Sequence, residues 1–255
     1  MNKSALKGLL KSRIVEKFRT SFSRHDFHQY LDISRKNDQS LVTEIDLFVS
    51  RLIKDVVKGQ PEFKQHHFFS EEEQESFAFP CIIVDPIDGT RGMAQGISEC
   101  AVSLAIMQSP DVQNHRENWG WIFNPFTGFE ISTDDQYCDP PNSNQEALLG
   151  MVSRSEWNRG LYQQFNNQGK VIVSPRGSIA LKLGLMAAGS ADFIITKRPK
   201  SVWDIAAGTL ICRQRGFKMY DQSAEITRLD TKSIKNPLIW CRDEHHTLIV
   251  DSFLK

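Results

Sequence analysis

Residues 81–90 read Cys81-Ile-Ile-Val-Asp85-Pro86-Ile87-Asp88-Gly89-Thr90, and the rest of the chain can be arranged around them. A short apolar run stops at one carboxylate, Asp85, and a second carboxylate, Asp88, follows three residues on. Cys-Ile-Ile-Val has the length and composition of a buried strand. Pro86 fixes φ and stiffens the turn. Gly89 permits φ > 0 or close backbone approach. A strand feeding this turn presents Asp85, the Ile87 carbonyl and Asp88 to one point. Hard oxygens at one point suit Mg²⁺, which takes one or two carboxylates and keeps positions for water and phosphate. The N–H groups after Asp88 are then placed to receive a phosphate oxygen. A capped surface turn explains the same spacing without chemistry, so the neighbouring segments have to decide.

Two more acidic segments stand on either side. Ser70-Glu71-Glu72-Glu73 follows the apolar run His67-Phe-Phe69. Three consecutive glutamates are commonly a solvated face, and the strand end beside them is what singles out Glu71. Strands that end in carboxylates put those groups at the C-terminal edge of a sheet, where α/β proteins build sites. Downstream, Trp203-Asp204-Ile-Ala-Ala-Gly208 sets Asp204 at a helix start ahead of small residues. As an N-cap, Asp204 needs no further role. His66 and His67 read as structural or exposed, and no cysteine or histidine is required as a nucleophile.

Leu6, Leu10, Ile14 and Phe18 recur every four residues, the pattern of an amphipathic helix. Thr43 is placed to N-cap a helix running to about Lys58, with Asp46 at its third position. Residues 99–107 and 119–124 read as a hairpin with 109–118 as its loop, while 26–35 resist assignment. The polar stretch 134–146, with Pro140-Pro141, reads as a boundary between an N-terminal lobe (1–138) and a C-terminal lobe (146–255). Beyond it the pattern predicts strands at 147–152, 170–174, 191–195 and 216–220, helices at 156–166, 177–189 and 204–214, and a final strand–helix pair. The helix over 177–189 is apolar nearly all round, with Lys182 its only charge, and is expected to lie between layers. Strand–helix alternation makes this an α/β lobe.

Composition narrows the class. Of 255 residues 40% are hydrophobic, enough for one large domain or two joined lobes. The 31 basic and 31 acidic residues cancel, and no basic–aromatic stripe occurs, which argues against nucleic acid or an anionic membrane as partner. Charges at Lys3, Lys7, Lys11, Arg13, Glu16 and Lys17 break the N-terminal apolar pattern, so it reads as neither signal peptide nor membrane span. Five cysteines without a CxxC pair argue against a disulfide framework or zinc site and favour a reducing, cytoplasmic setting.

Together, Lys36-Asn-Asp-Gln-Ser-Leu-Val-Thr-Glu-Ile-Asp46, Ser70-Glu71-Glu72, Asp85-Pro-Ile-Asp-Gly-Thr90, Ser153-Arg-Ser155, Gly177-Ser178, Ala188-Gly189 with Ala191-Asp192, and Trp203-Asp-Ile-Ala-Ala-Gly208 resemble the inositol monophosphatase superfamily over residues 36–241. The resemblance implies a mixed α/β fold, a layered α-β-α-β-α sandwich, and a Mg²⁺-dependent phosphomonoesterase holding two or three ions, with Mn²⁺ as an alternative. It implies metal ligation by Glu71, Asp85, the Ile87 carbonyl, Asp88 and Asp204. Asp46 and Thr90 match the positions that orient and deprotonate the attacking water, with Glu71 beside them. Gly89 and Thr90 would offer N–H groups to the phosphate. Ser178, Lys197 and Arg198 would meet the substrate. Lithium sensitivity and a homodimer are also what the likeness implies; the residues leave assembly open. A non-catalytic protein that kept the fold is the competing class, and its mark would be lost acidic ligands; all are present.

The resemblance implies a small phosphorylated metabolite as substrate. Inositol monophosphatases usually carry a glutamate where this chain has Lys197, seven residues before Asp204. The basic segment 196–200 suits a second anionic group, although a solvated basic loop accounts for it equally well. Ser153-Arg-Ser155 and the Lys36–Thr43 stretch look closest to 3′(2′),5′-bisphosphate nucleotidases, favouring adenosine 3′,5′-bisphosphate. Thr90-Arg91-Gly92 is similar to the histidinol-phosphate phosphatase branch, and inositol 1-phosphate stays an alternative. Arg213-Gln-Arg-Gly216 replaces the family's usual Glu-Ala-Gly-Gly, and 133–146 lacks its glycine-rich segment. Both departures bear on lobe packing and substrate walls more than on metal binding.

Overall fold

The structure is a computed structural model that describes residues 3–22, 33–35, 41–73, 76–114, 116–136, 147–163, 165, 169–235 and 237–255. In chain order its helices are α1 (Lys3–Phe22), α2 (Glu44–Lys58), α3 (Thr90–Met93), α4 (Arg154–Asn158), α5 (Ile179–Ala187), α6 (Val202–Gln214) and α7 (Asp243–Phe253). The strands are β1 (Ile33–Arg35), β2 (Leu41–Thr43), β3 (His67–Ser70), β4 (Cys81–Asp88), β5 (Ala101–Met107), β6 (Trp119–Phe123) and β7 (Glu130–Ser132). They continue as β8 (Leu148–Ser153), β9 (Val171–Arg176), β10 (Phe193–Thr196), β11 (Lys200–Ser201), β12 (Lys218–Tyr220), β13 (Ser233–Ile234) and β14 (Leu238–Cys241).

Each layer follows from a residue period. The predicted stripe Leu6, Leu10, Ile14 and Phe18 is the buried face of α1, and each such side chain contributes about 1.5–3 kcal/mol on burial. Helix α2 opens on the expected capping box: Thr43 accepts from the first turn, and the Asp46 carboxylate reaches back to the Thr43 N–H. Five strands form the first sheet in the order β3-β4-β5-β6-β7, with β3 and β4 parallel and the rest antiparallel. Even-numbered residues of β3–β5, such as Phe68, Ile82, Val84, Val102 and Leu104, pack on α1 and α2. Odd-numbered ones, such as Phe69, Cys81, Ile83 and Ala105, face the core that contains α5 and α6. That period of two is the pleat of a sheet buried on both faces.

The second sheet has the order β12-β14-β10-β8-β9, with β10, β8 and β9 parallel. One face, through Met151, Ile194 and Trp240, joins the α5/α6 core. The other, through Val152, Phe193 and Ile239, packs on Ile249 and Phe253 of α7. The layers therefore run helix, sheet, helix, sheet, helix, the sandwich that the resemblance implied. Gly120 of β6 lies so close to α6 that a Cβ would stand 2.7 Å from the Ala207 carbonyl. Arg215, in the departing Arg213–Gly216 stretch, is buried and donates to the Ala187 carbonyl at the end of α5 (2.7 Å), locking the middle layer.

Several expectations shift. The helix expected at 156–166 is only the short α4, because Gly160 takes φ +73° and the chain turns inward to bury Tyr162. The hairpin gains β7, and the small pair β11–β13 had no clear period. The lobe boundary at 134–146 falls mostly outside the described residues, as does 36–40 of the Lys36–Asp46 segment. No described helix is long and apolar enough to cross a membrane.

Candidate active site

The site begins with an irregularity in β4. Asp85 pairs with Ser103 of β5, but Asp88 pairs with Ala101, so three steps on one strand match two on the other. In a regular strand residues three apart point to opposite faces; the extra residue of this bulge cancels that reversal. Pro86 lies in the bulge, where the missing N–H costs the ladder nothing. Parallel pairing of β3 with β4, closed by the Glu71 N–H on the Val84 carbonyl (3.1 Å), sets Glu71 beside Asp85. From the middle layer, Asp204 arrives in the first turn of α6, where its Oδ2 accepts from the Ser201 N–H (3.0 Å). The N-cap is Ser201 and not Asp204 as read from the sequence; Asp204, at the third helical position, closes a capping box with it and still joins the cluster.

Oxygens of Asp85, Asp88 and Asp204 lie within 4.8 Å of one another. Glu71 lies outside this triad, yet its charge reaches it. Burial pushes the Asp85 carboxyl well above the usual range, helped by Glu71, Asp88, Asp204 and Asp46. Burial and the Asp88 charge push Asp204 up to about 7, against the pull of Lys200. Asp85 is 1% exposed, and its Oδ1 has no hydrogen-bond partner among the described residues. Buried like charges with an unmet oxygen are costly alone and favourable around a cation. The donors are all hard oxygens, so the set fits a divalent ion of the Mg²⁺ type.

Asp88 is held from the start of α5. Its Oδ2 accepts from Ser178 Oγ (2.6 Å) and from the Ala180 N–H (2.6 Å) at the start of α5. Ser178 achieves this with φ +46°, a conformation that non-glycine residues rarely adopt, while its Oγ also accepts from the Leu181 N–H (3.0 Å). Ser178, expected to meet substrate, thus grips a carboxylate at the cavity wall. On the other side Thr90 Oγ1 lies 2.9 Å from Asp46 Oδ1 and 2.7 Å from the Ile87 carbonyl. Burial raises the Asp46 pKa despite the bonds from Thr43 and Thr90. Gly89 has φ +98°, and a Cβ there would meet the Glu99 carbonyl at 2.8 Å.

A cavity of about 490 Å³ opens beside the triad, lined by Asp88, Gly89 and Asp204 at one end. Six cationic side chains also line it: Arg91, Arg154, Arg159, Arg176, Lys182 and Lys200. Glu99 joins two of them, pairing with Arg154 and Arg176 and accepting the Gly177 N–H at 2.6 Å. Burial opposes its charge, but these partners hold Glu99 below the ordinary carboxylate range. Lys197 and Arg198 do not line the cavity. The Lys197 ammonium donates to the Leu161 carbonyl (3.1 Å) and sits 5.2 Å from the Tyr162 ring centroid, and Arg198 is exposed. The sequence reading missed Glu99 altogether. For Lys182 it noted the one usable signal, a single charge on an otherwise apolar helix.

Comparison with known proteins agrees with this architecture. A model described as the inositol monophosphatase family matches residues 4–253. The inositol-1-monophosphatase of Rhizobium meliloti is 26% identical over 237 residues, 85% of this chain and 84% of that protein. A Thermotoga maritima protein named fructose-1,6-bisphosphatase/inositol-1-monophosphatase is 26% identical over 200 residues, 73% of each chain. Among solved structures, a Thermotoga maritima IMPase superposes with a TM-score of 0.78 at 21% identity, covering 100% of this chain and 97% of the other. The extragenic suppressor protein SuhB of Bartonella henselae gives 0.75 at 21%, covering 96% and 94%. At such identity the structures speak for the fold.

Proposed function

The chain belongs to the inositol monophosphatase family of phosphoric monoester hydrolases, and from that premise we propose that it hydrolyses a small phosphate ester at the Asp85–Asp88–Asp204 cluster with Mg²⁺. The observation that carries this reading is the meeting of three carboxylates, two from β4 and one from α6, within 4.8 Å, one of them with an unmet buried oxygen.

Glu71, Asp85, the Ile87 carbonyl, Asp88 and Asp204 would hold two or three ions, with Mn²⁺ able to substitute. When bound, Mg²⁺ supplies positive charge against the ester oxygens and lowers the pKa of water. Ser178 and the Ala180 N–H fix one Asp88 oxygen and leave the other for the cluster. Gly89, lacking a side chain, lets the phosphate approach the backbone N–H groups of Gly89 and Thr90. Thr90 Oγ1 orients the attacking water, and its proton passes to Asp46, whose raised pKa suits a base. Water oxygen bonds to phosphorus as the ester P–O bond breaks in line; the departing alkoxide takes a proton from solvent water while Asp46 returns its own to solvent, leaving the alcohol and inorganic phosphate. No phosphoenzyme forms.

Two substrate readings stand. The Ser153-Arg-Ser155 segment, all three residues of which line the cavity, favours a 3′(2′),5′-bisphosphate nucleotide. The names of the similar proteins favour inositol 1-phosphate. The test is Mg²⁺-dependent phosphate release by wild type and Asp204→Asn. Loss of turnover with retained circular dichroism is expected. An Asp204→Asn enzyme with most of its activity would remove the cluster from the chemistry.

A further inference from the structure

Three segments meet on Glu99, a half-buried carboxylate in the cavity wall. Its Oε2 accepts the Gly177 N–H at 2.6 Å and pairs with Arg154, while its Oε1 accepts from Arg176 Nη1 at 3.1 Å. Arg154 opens α4, Arg176 ends β9, and Gly177 follows it. Only a glycine allows this approach: a Cβ on Gly177 would stand 3.2 Å from both the Glu99 carbonyl and Oε2. The next residue, Ser178, holds φ +46°. A left-handed residue other than glycine persists only where its surroundings over-determine it. Glu99 fixes the N-terminal side of Ser178. On the other side, Ser178 Oγ donates to Asp88 Oδ2 and accepts from the Leu181 N–H. The β4 turn closes the same knot, since a Cβ on Gly89 would meet the Glu99 carbonyl at 2.8 Å and Ser178 Cβ at 3.3 Å. A continuous line of contacts thus runs from Glu99 through Gly177 and Ser178 to a carboxylate of the cluster.

We infer that Glu99 is a positioning residue for metal binding: by fixing Gly177 it holds the Ser178 turn that aims Asp88 at the cation. This rests on the Mg²⁺ phosphomonoesterase reading. Groups that orient a metal ligand from behind are worth about 10–100-fold in metal affinity. Glu99 stands one step further back than Ser178, so its loss belongs at the lower end of that range. Arg154 and Arg176 neutralise its carboxylate, so it acts by direction and not by its own charge.

The test is Mg²⁺ binding without substrate, read as Kd by titration calorimetry, beside the Mg²⁺ concentration that half-activates phosphate release. Glu99→Ala should weaken Kd by about 10-fold and raise the half-activating concentration in step. Added Mg²⁺ should then recover much of the lost turnover, which a disrupted fold would not allow. Glu99→Gln, whose Oε1 can still accept the Gly177 N–H, should keep most of the affinity. In the double variant Glu99→Ala/Ser178→Ala the loss should fall well short of the product of the single losses, because both act on Asp88 by one route. A wild-type Kd in Glu99→Ala overturns the proposal, as does a Gln variant as weak as Ala, or a double loss equal to that product. If circular dichroism shows that Glu99→Ala does not fold, Glu99→Asp decides in its place. It keeps the charge but is one methylene short of the Gly177 N–H, so it should bind Mg²⁺ several-fold more weakly, and an unchanged Kd overturns the proposal. A wild type that binds no Mg²⁺ removes the metal centre and this inference with it. Bound Mg²⁺ whose Kd ignores position 99 removes this inference alone.

Discussion

The Thr90 hydroxyl and the Asp46 carboxylate stand 2.9 Å apart although 44 residues separate them in sequence. Asp46 comes from the first turn of α2 and Thr90 from the start of α3, so the pair joins the outer helical layer to the loop after β4. Thr90→Val keeps the shape and removes the hydroxyl. Its kcat should fall by about 10²-fold, the scale of a lost general-base relay, while Thr90→Ser stays within roughly tenfold of wild type on the same scale. Phosphate release at saturating Mg²⁺ measures both, and equal rates for Val and Ser would separate the hydroxyl from proton transfer.

Asp85 offers a test that involves no substrate. Without divalent ions its charge is buried among Glu71, Asp88, Asp204 and Asp46. Asp85→Asn removes that repulsion, so the metal-free variant should melt above metal-free wild type. Magnesium should then raise the melting temperature of wild type and leave the variant nearly unmoved. Scanning calorimetry with and without EDTA decides; a variant that melts lower in EDTA contradicts the electrostatic account.

Gly89→Ala should harm both folding and catalysis. The backbone is left-handed, and the added methyl would collide with the Glu99 carbonyl at 2.8 Å and press on Ser178 at 3.3 Å. A loss of about 1–3 kcal/mol in urea unfolding is expected, with kcat reduced as the phosphate approach closes. Wild-type stability in the variant would mean that the β4 turn relaxes freely.

Lys182 gives a pH signature. Its folded pKa of about 8 lies below the ordinary lysine value, so the unfolded chain binds more protons between those values. Wild-type stability should therefore rise with pH from 8 towards 10, a slope that Lys182→Met lacks. Asp88, Glu99 and Glu156 oppose the shift and Lys200 reinforces it. Urea unfolding at pH 8 and pH 10 measures the slope, and the same slope in Lys182→Met would assign it to another group.

Much of this was legible in the residues. The stripe of α1, the Thr43–Asp46 box and the apolar runs of β3, β4 and β5 obey short-range periods, which a chain displays regardless of its tertiary partners. Asp85, Asp88 and Asp204 were readable as candidates because the first two follow directly on an apolar run and the third stands in the opening turn of a helix. Their convergence was not, since it depends on the β4 bulge and on α6 packing against Gly120. Lys197 and Arg198 illustrate the limit. Proximity to Asp204 in sequence suggested the cavity, but the turn between β10 and β11 sends Lys197 to the Leu161 carbonyl and Tyr162 instead. Side-chain direction beyond a strand end is set by turn geometry, which composition does not encode. The short α4 was overestimated because Gly160 and the inward Tyr162 were read as a helical continuation.

Helix α5 spans only nine residues, yet the Ala180 N–H in its first turn restrains Asp88 and its next turn carries Lys182. Bolted at its far end by Arg215, it is a ruler with two marks. The spacing between them is set by helical pitch and cannot stretch to suit a longer or shorter molecule. Selection for a new ester would have to exchange side chains along this rod, because sliding it would drag the hydrolytic centre out of register at the same time.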